Sequence, residues 1–148
     1  MVRVEIDGGD DDMKKVIKVV LSIMLICALV GCISTPTNFK ADFVESKRVT
    51  IDFSDDTKEM LLLFFDCSNE TEHTISPMNG VDIGAFQNGV ALEFYTLYDL
   101  EEMGDAVSCD TDIQSGAKAT VVWFFELRDD SPVSVEIGNG ETFTIEVK

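Results

Sequence analysis

Histidine occurs once in this 148-residue chain, at His73. A single imidazole confines any Ser-His-Asp mechanism to one residue, and no serine stands in a Gly-x-Ser-x-Gly setting. A zinc site of the usual kind is not expected either, because there is no Cys-x-x-Cys and no second histidine. His73 lies in the polar run Asn69-Glu70-Thr71-Glu72-His73-Thr74 and reads as a solvated loop residue. Basic residues are scarce as well: 11 Lys and Arg face 28 Asp and Glu, a net charge of −17. That balance argues against nucleic acid and against lying flat on an anionic bilayer. The calcium-loop spacing D-x-[DN]-x-[DN]-G is absent, and Asp110-Thr111-Asp112 is the nearest fragment. Asp52, Asp55, Asp56 and Glu59, and the carboxylates from Asp99 to Asp112, therefore read as solvated acidic loops. No two of them stand out as a glycosidase pair. No catalytic residue, cofactor or metal is expected.

The longest apolar run, Val16–Val30, is short for a spanning helix, which needs roughly 20 apolar residues. Lys14, Lys15 and Lys18 make its start basic, and its length suits the apolar region of a signal peptide. The run ends in Leu29-Val30-Gly31-Cys32, which resembles the lipobox of bacterial lipoproteins. The resemblance implies cleavage after Gly31 and acylation of Cys32, which anchors the chain to the membrane through lipid. A plain signal-anchor helix containing Cys32 is the alternative. Residues 1–12 are acidic where a signal should be basic, so Met13 is the expected initiator, a cytoplasmic extension being the alternative. The expected organisation is an extension at 1–12, a signal helix at 13–31, a lipidated tether at 32–38 and one domain at 39–148. The seven-residue tether reaches at most about 25 Å, which holds the domain close to the membrane. Ile33 follows the cysteine, so no aspartate there argues for retention at an inner membrane.

The domain signal is β. Val49–Phe53 alternates with period two, and Met60–Cys67 and Ala119–Leu127 are apolar runs of strand length. Val81–Gln87 and Val90–Tyr95 flank Asn88-Gly89, a hairpin turn whose two positions need φ > 0. Val133–Ile137 and Thr142–Val147 flank Gly138-Asn139-Gly140, a second hairpin. Asp55–Lys58, Ser68–Asn79 and Asp99–Ala117 read as loops, and Leu97–Met103 could add a helical turn or two. About seven to eight short strands predict an all-β sandwich or barrel.

Phe86-Gln87-Asn88-Gly89-Val90-Ala91-Leu92-Glu93, Gln114-Ser115-Gly116-Ala117, Phe125-Glu126-Leu127-Arg128-Asp129 and Pro132-Val133-Ser134-Val135-Glu136 resemble a family of bacterial surface lipoprotein domains of unknown function. The resemblance covers most of 39–148. It implies an antiparallel, telokin-like (immunoglobulin-like) β-sandwich and carries over no catalytic residue. Ser115 replaces the family's proline before glycine, and Cys67 replaces an aromatic before Ser68-Asn69. The antibody order Cys…Trp…Cys is not met, since Trp123 follows both Cys67 and Cys109. Asn69-Glu70-Thr71 matches a glycosylation sequon, which a bacterial-type anchor makes a chance match.

Cys67 and Cys109 are the cysteines of the domain, an even pair in an oxidising compartment. They either form a disulfide, which would stabilise by roughly 4 kcal/mol in the chain-entropy model, or remain buried thiols. The two apolar runs carry a second question. Leu61, Leu63, Phe65 and Cys67, with Val121, Trp123, Phe125 and Leu127, form the more apolar faces and should be core. Leu62, Phe64, Val122 and Phe124 then face outward. Either a loop such as Leu97–Ala117 covers them, or they form a docking patch for a partner protein or a second copy. The expected function is a lipid-anchored, extracytoplasmic, non-catalytic binding module. An envelope enzyme acting on carbohydrate or peptide, or a purely structural envelope protein, are the alternatives.

Overall fold

The computed structural model describes residues 38–147. The expected extension, signal helix and acylated Cys32 lie outside the described residues. Within them, nine strands form two sheets. The first contains β1 (Phe39–Asp52), β2 (Thr57–Asn69), β7 (Lys118–Glu126) and β5 (Glu93–Tyr95) in that order, with β6 (Val107–Ser108) also on β7. The second runs β4 (Val90–Ala91), β3 (Ile83–Gln87), β8 (Val133–Ile137), β9 (Thr142–Ile145). Every pairing is antiparallel except the short β6–β7 contact. One helical turn, α1 (Pro77–Gly80), precedes β3.

The sheets pack face to face, so the described residues form an all-β sandwich. Leu61, Leu63, Phe65, Val121, Trp123 and Phe125 of the first sheet meet Ala85, Val133, Val135 and Ile137 of the second. Fully burying each large apolar side chain contributes about 1.5–3 kcal/mol. Phe65 and Trp123 pack edge to face at 5.2 Å, as their assignment to the inner face requires. One side of the sandwich is closed by Phe43 of β1, whose ring lies 4.6 Å from Phe143 of β9.

Besides β6, which forms within the expected loop Asp99–Ala117, and β2, which extends into the expected loops on either side of it, two features depart from the expected strands. β1 begins ten residues before Val49, and its alternation is broken at Val44, a bulge between Phe43 and Glu45. Before the bulge the odd residues Phe39 and Ala41 join the main core, and after it Val49 and Ile51 point to the opposite face. The expected single strand Val90–Tyr95 is two, because Leu92 turns inward between β4 and β5 and the chain changes sheets. The Asn88-Gly89 hairpin forms as expected, with φ of 52° and 76°.

Two buried carboxamides fasten the connecting segments. Asn69 Nδ2 donates to the carbonyls of His73 and Ile113, both at 2.8 Å, while its Oδ1 accepts from Thr71 N–H and Oγ1. Gln87 Nε2 donates to the carbonyls of Asp129 and Ser131, and Oε1 accepts from Arg128 N–H. A buried amide with its donors and acceptor engaged holds a loop firmly, because releasing it leaves polar groups unpaired.

Candidate functional site

Leu62, Phe64, Val122 and Phe124 do lie together on the outer face of the first sheet, since Leu62 pairs Phe124 and Phe64 pairs Val122. They are not exposed: each is 3% accessible or less. Between Tyr95 and β6 the chain leaves the sheet edge and folds back over this face. Leu97, Leu100, Met103 and Ala106 cover it from that excursion, with Val49 and Ile51 from β1. Burying these apolar side chains together with those of the covering segment offsets much of the entropy cost of ordering it. Of the two readings of these four residues, the covering loop holds and the docking patch is corrected to a second core.

Cys67 and Cys109 are buried free thiols. β2 and β6, which lead to them, lie on opposite edges of β7. Burial pushes both thiols up to about 12, helped by Asp66 near Cys67 and Asp110 near Cys109. At that value neither is a nucleophile near neutral pH. His73 is exposed and bonds through its backbone. Asn69 of the sequon is buried and has its side-chain nitrogen engaged. Among the described residues no group of three or more His, Cys, Asp or Glu is placed to hold a metal ion.

The strongest polar cluster seals one end of the second core. Lys58 Nζ lies 2.8 and 2.9 Å from the Glu126 oxygens, and Tyr95 Oη donates to Glu126 at 2.8 Å. These bonds hold the Glu126 carboxyl below its ordinary range, and the same carboxylate raises the Tyr95 phenol. Each member is satisfied by the others, so the cluster reads as structure.

A depression of about 480 Å³ lies among Phe39–Asp42, Asn79–Asp82, Ile137–Asn139 and Glu141. Several of its polar groups are already engaged: Lys40 on Glu70 at 2.8 Å, Asn79 on Ser76 at 2.7 Å, and Asn139 with Glu141 N–H at 2.9 Å.

On the opposite side of the sandwich the chain crosses from β4 to β5 at buried Leu92. There Phe94 of β5 and Ile83 of β3 flank a groove of about 170 Å³ whose floor is Trp123. Met78 and Val81, from α1 and the residue after it, and Asp82 complete the lining. α1 is fixed here by Met78 N–H donating to the Cys109 carbonyl at 2.9 Å and by the bridge between Ile75 and Ile113. Phe94 rests on Phe125, ring centres 5.8 Å apart. Met78 and Phe94 are nevertheless 42% and 37% exposed, so apolar surface converges on a concave site beside an aromatic floor. Such a shape, with few polar groups, is what small apolar ligands and side chains occupy. Sequence reading placed Trp123 inside correctly but missed the groove, because Met78 sat in an expected loop and Phe94 in an expected continuous strand.

A family model described as a domain of unknown function, DUF5067, matches residues 35–139. No curated protein matches the sequence. Among solved structures, a protein of Staphylococcus aureus subsp. aureus NCTC 8325 described as a candidate lipoprotein is similar, with a TM-score of 0.56 at 15% identity. The similarity covers 75% of this chain and 85% of that one, and at this identity it speaks to the fold.

Proposed function

The chain belongs to the DUF5067 family of domains of unknown function, and on that premise we propose that it is a lipid-anchored, extracytoplasmic docking module without catalytic activity. Its sandwich is taken to be of the telokin-like, immunoglobulin-like kind. Anchoring is supported by the basic and apolar run ending in Leu29-Val30-Gly31-Cys32 and by the description of the staphylococcal neighbour. The observation that carries the docking role is the groove over Trp123, where Met78 and Phe94 stay exposed beside buried core. Its occupant in this reading is a side chain of another protein's segment.

The test is photo-crosslinking in intact cells, with the photoreactive residue at Met78 or Phe94, and at exposed Thr142 as the control. A discrete adduct from the two groove positions that Thr142 does not give is the expected result. Identical patterns from all three positions would remove the docking role.

A further inference from the structure

We infer that the groove takes an extended segment added as a strand beside Ile83, with one Leu- or Phe-sized side chain over Trp123 and Lys or Arg on its flanks. The inference rests on the docking role and names the chemistry of the partner.

The backbone provides the first argument. Residues alternating along an antiparallel strand turn their N–H and C=O to the same side. The Ala85 carbonyl accepts from Leu92 N–H at 2.8 Å, toward the β4 side, and Gln87 pairs Val90 across the hairpin on that side. Ile83 is next in this series, so its N–H and C=O also turn to the β4 side. β4 reaches only Phe86 and Gln87, which leaves Ile83 at an open edge. Its side chain lines the groove. Open edges pair readily with extended segments, which gain main-chain hydrogen bonds there and specificity from a side-chain pocket.

Size and charge give the rest. A cavity of about 150 Å³ holds a benzene ring, so about 170 Å³ suits one phenyl or leucyl group. Asp82 lines the groove, no Lys or Arg does, and Glu93 adjoins Phe94. Among the described residues 23 carboxylate side chains face six basic ones, and four of those six, Lys40, Lys47, Arg48 and Lys58, are in ion pairs. A second copy would bring an equal negative charge to the same edge, whereas a basic segment is attracted to it.

The experiment titrates the mature chain with synthetic peptides centred on leucine. One is Lys-flanked, one Glu-flanked, and one is the Lys-flanked peptide with an N-methyl group on a backbone nitrogen facing Ile83. Trp123 is the only tryptophan, so its emission reports occupancy. The Lys-flanked peptide should bind and weaken with salt, and the other two should bind at least roughly tenfold more weakly. Phe94→Asp should abolish the signal, and Ile83→Pro, which removes the edge N–H, should mimic N-methylation. The peptide comparison stands even if Ile83→Pro fails to fold. Equal binding of the Glu-flanked peptide would overturn the basic partner, and equal binding of the N-methyl peptide would overturn strand addition. If no peptide binds while groove-specific crosslinks form in cells, this inference falls and docking stands. If both are missing, both fall.

Discussion

Gln87 holds the backbone of Arg128. Its Oε1 accepts the Arg128 N–H at 2.8 Å, while its Nε2 takes the carbonyls of Asp129 and Ser131 at 2.9 and 2.7 Å. Gln87 is fully buried, so the bonds have no ready substitute in water. Gln87→Leu should destabilise by about 2–3 kcal/mol in urea unfolding, the cost of leaving buried polar groups unpaired. Gln87→Glu should cost at least as much near neutral pH, because a carboxylate would face two carbonyls. Part of that loss should return under acid, when the carboxyl regains a donor.

The second core makes a different demand. Phe124 is completely buried and Phe64 nearly so. Each Phe→Ser change should cost about 3–5 kcal/mol, as for other large-to-small changes at buried phenylalanine. The two side chains share one cluster, so the double variant should cost less than the sum. Urea denaturation of both singles and the double measures this. An unchanged melting temperature would contradict burial beneath the Leu97–Ala106 segment.

Val44 offers a test of register. Its side chain is exposed, at 51%, so Val44→Ser should change stability by no more than about 0.5 kcal/mol. Deleting Val44 removes the extra residue that switches β1 from one face to the other. A one-residue slip reverses every side chain beyond it, turning Phe39 and Ala41, or else Val49 and Ile51, to the wrong face. The deletion should cost several times more than the substitution in thermal unfolding.

Cys67 and Cys109 should resist a thiol reagent at pH 8 in the folded protein and react once it is denatured, with peptide mass locating both labels. An unlabelled, linked pair after denaturation would show a disulfide instead. Because the folded thiols are raised to about 12 from an ordinary value of 9.0, the folded state binds more protons than the unfolded one across that interval. Stability from this source is complete below pH 9 and declines as pH rises toward 12. Cys67→Ala should lessen that alkaline decline.

Replacing Cys32 with Ala should leave uncleaved precursor that incorporates no labelled fatty acid. Fatty-acid labelling equal to that of the unaltered chain would remove the lipoprotein assignment.

Much of the fold was legible because the chain states it locally. Met60–Cys67 and Ala119–Leu127 are apolar runs of strand length and form the central β2–β7 pair, and Asn88-Gly89 admits few turns. The motifs that suggested a family prove to be joined physically, since Gln87 and Asn88 bond to Asp129 and Ser131. What stayed hidden depended on distant contacts. The first half of β1 was masked by the bulge, which breaks period two at Val44. The fate of Leu62, Phe64, Val122 and Phe124 depended on where a loop some forty residues beyond Phe64 would lie. The groove exists because β4 is only two residues long, and no property of Val90 or Ala91 announces that.

Since β2 and β7 are covered by apolar side chains on both faces, their amides should exchange with deuterium last in the molecule, after those of β9 and the Leu97–Ala106 segment. Their pairing also joins residues far apart in the chain, such as Ser68 with Lys118. Closing so large a loop is entropically slow, and neither core has its wall until it closes. Refolding should therefore show burial around Trp123 and burial around Phe124 arriving in one kinetic phase, with the partner-binding edge at Ile83 completed no earlier.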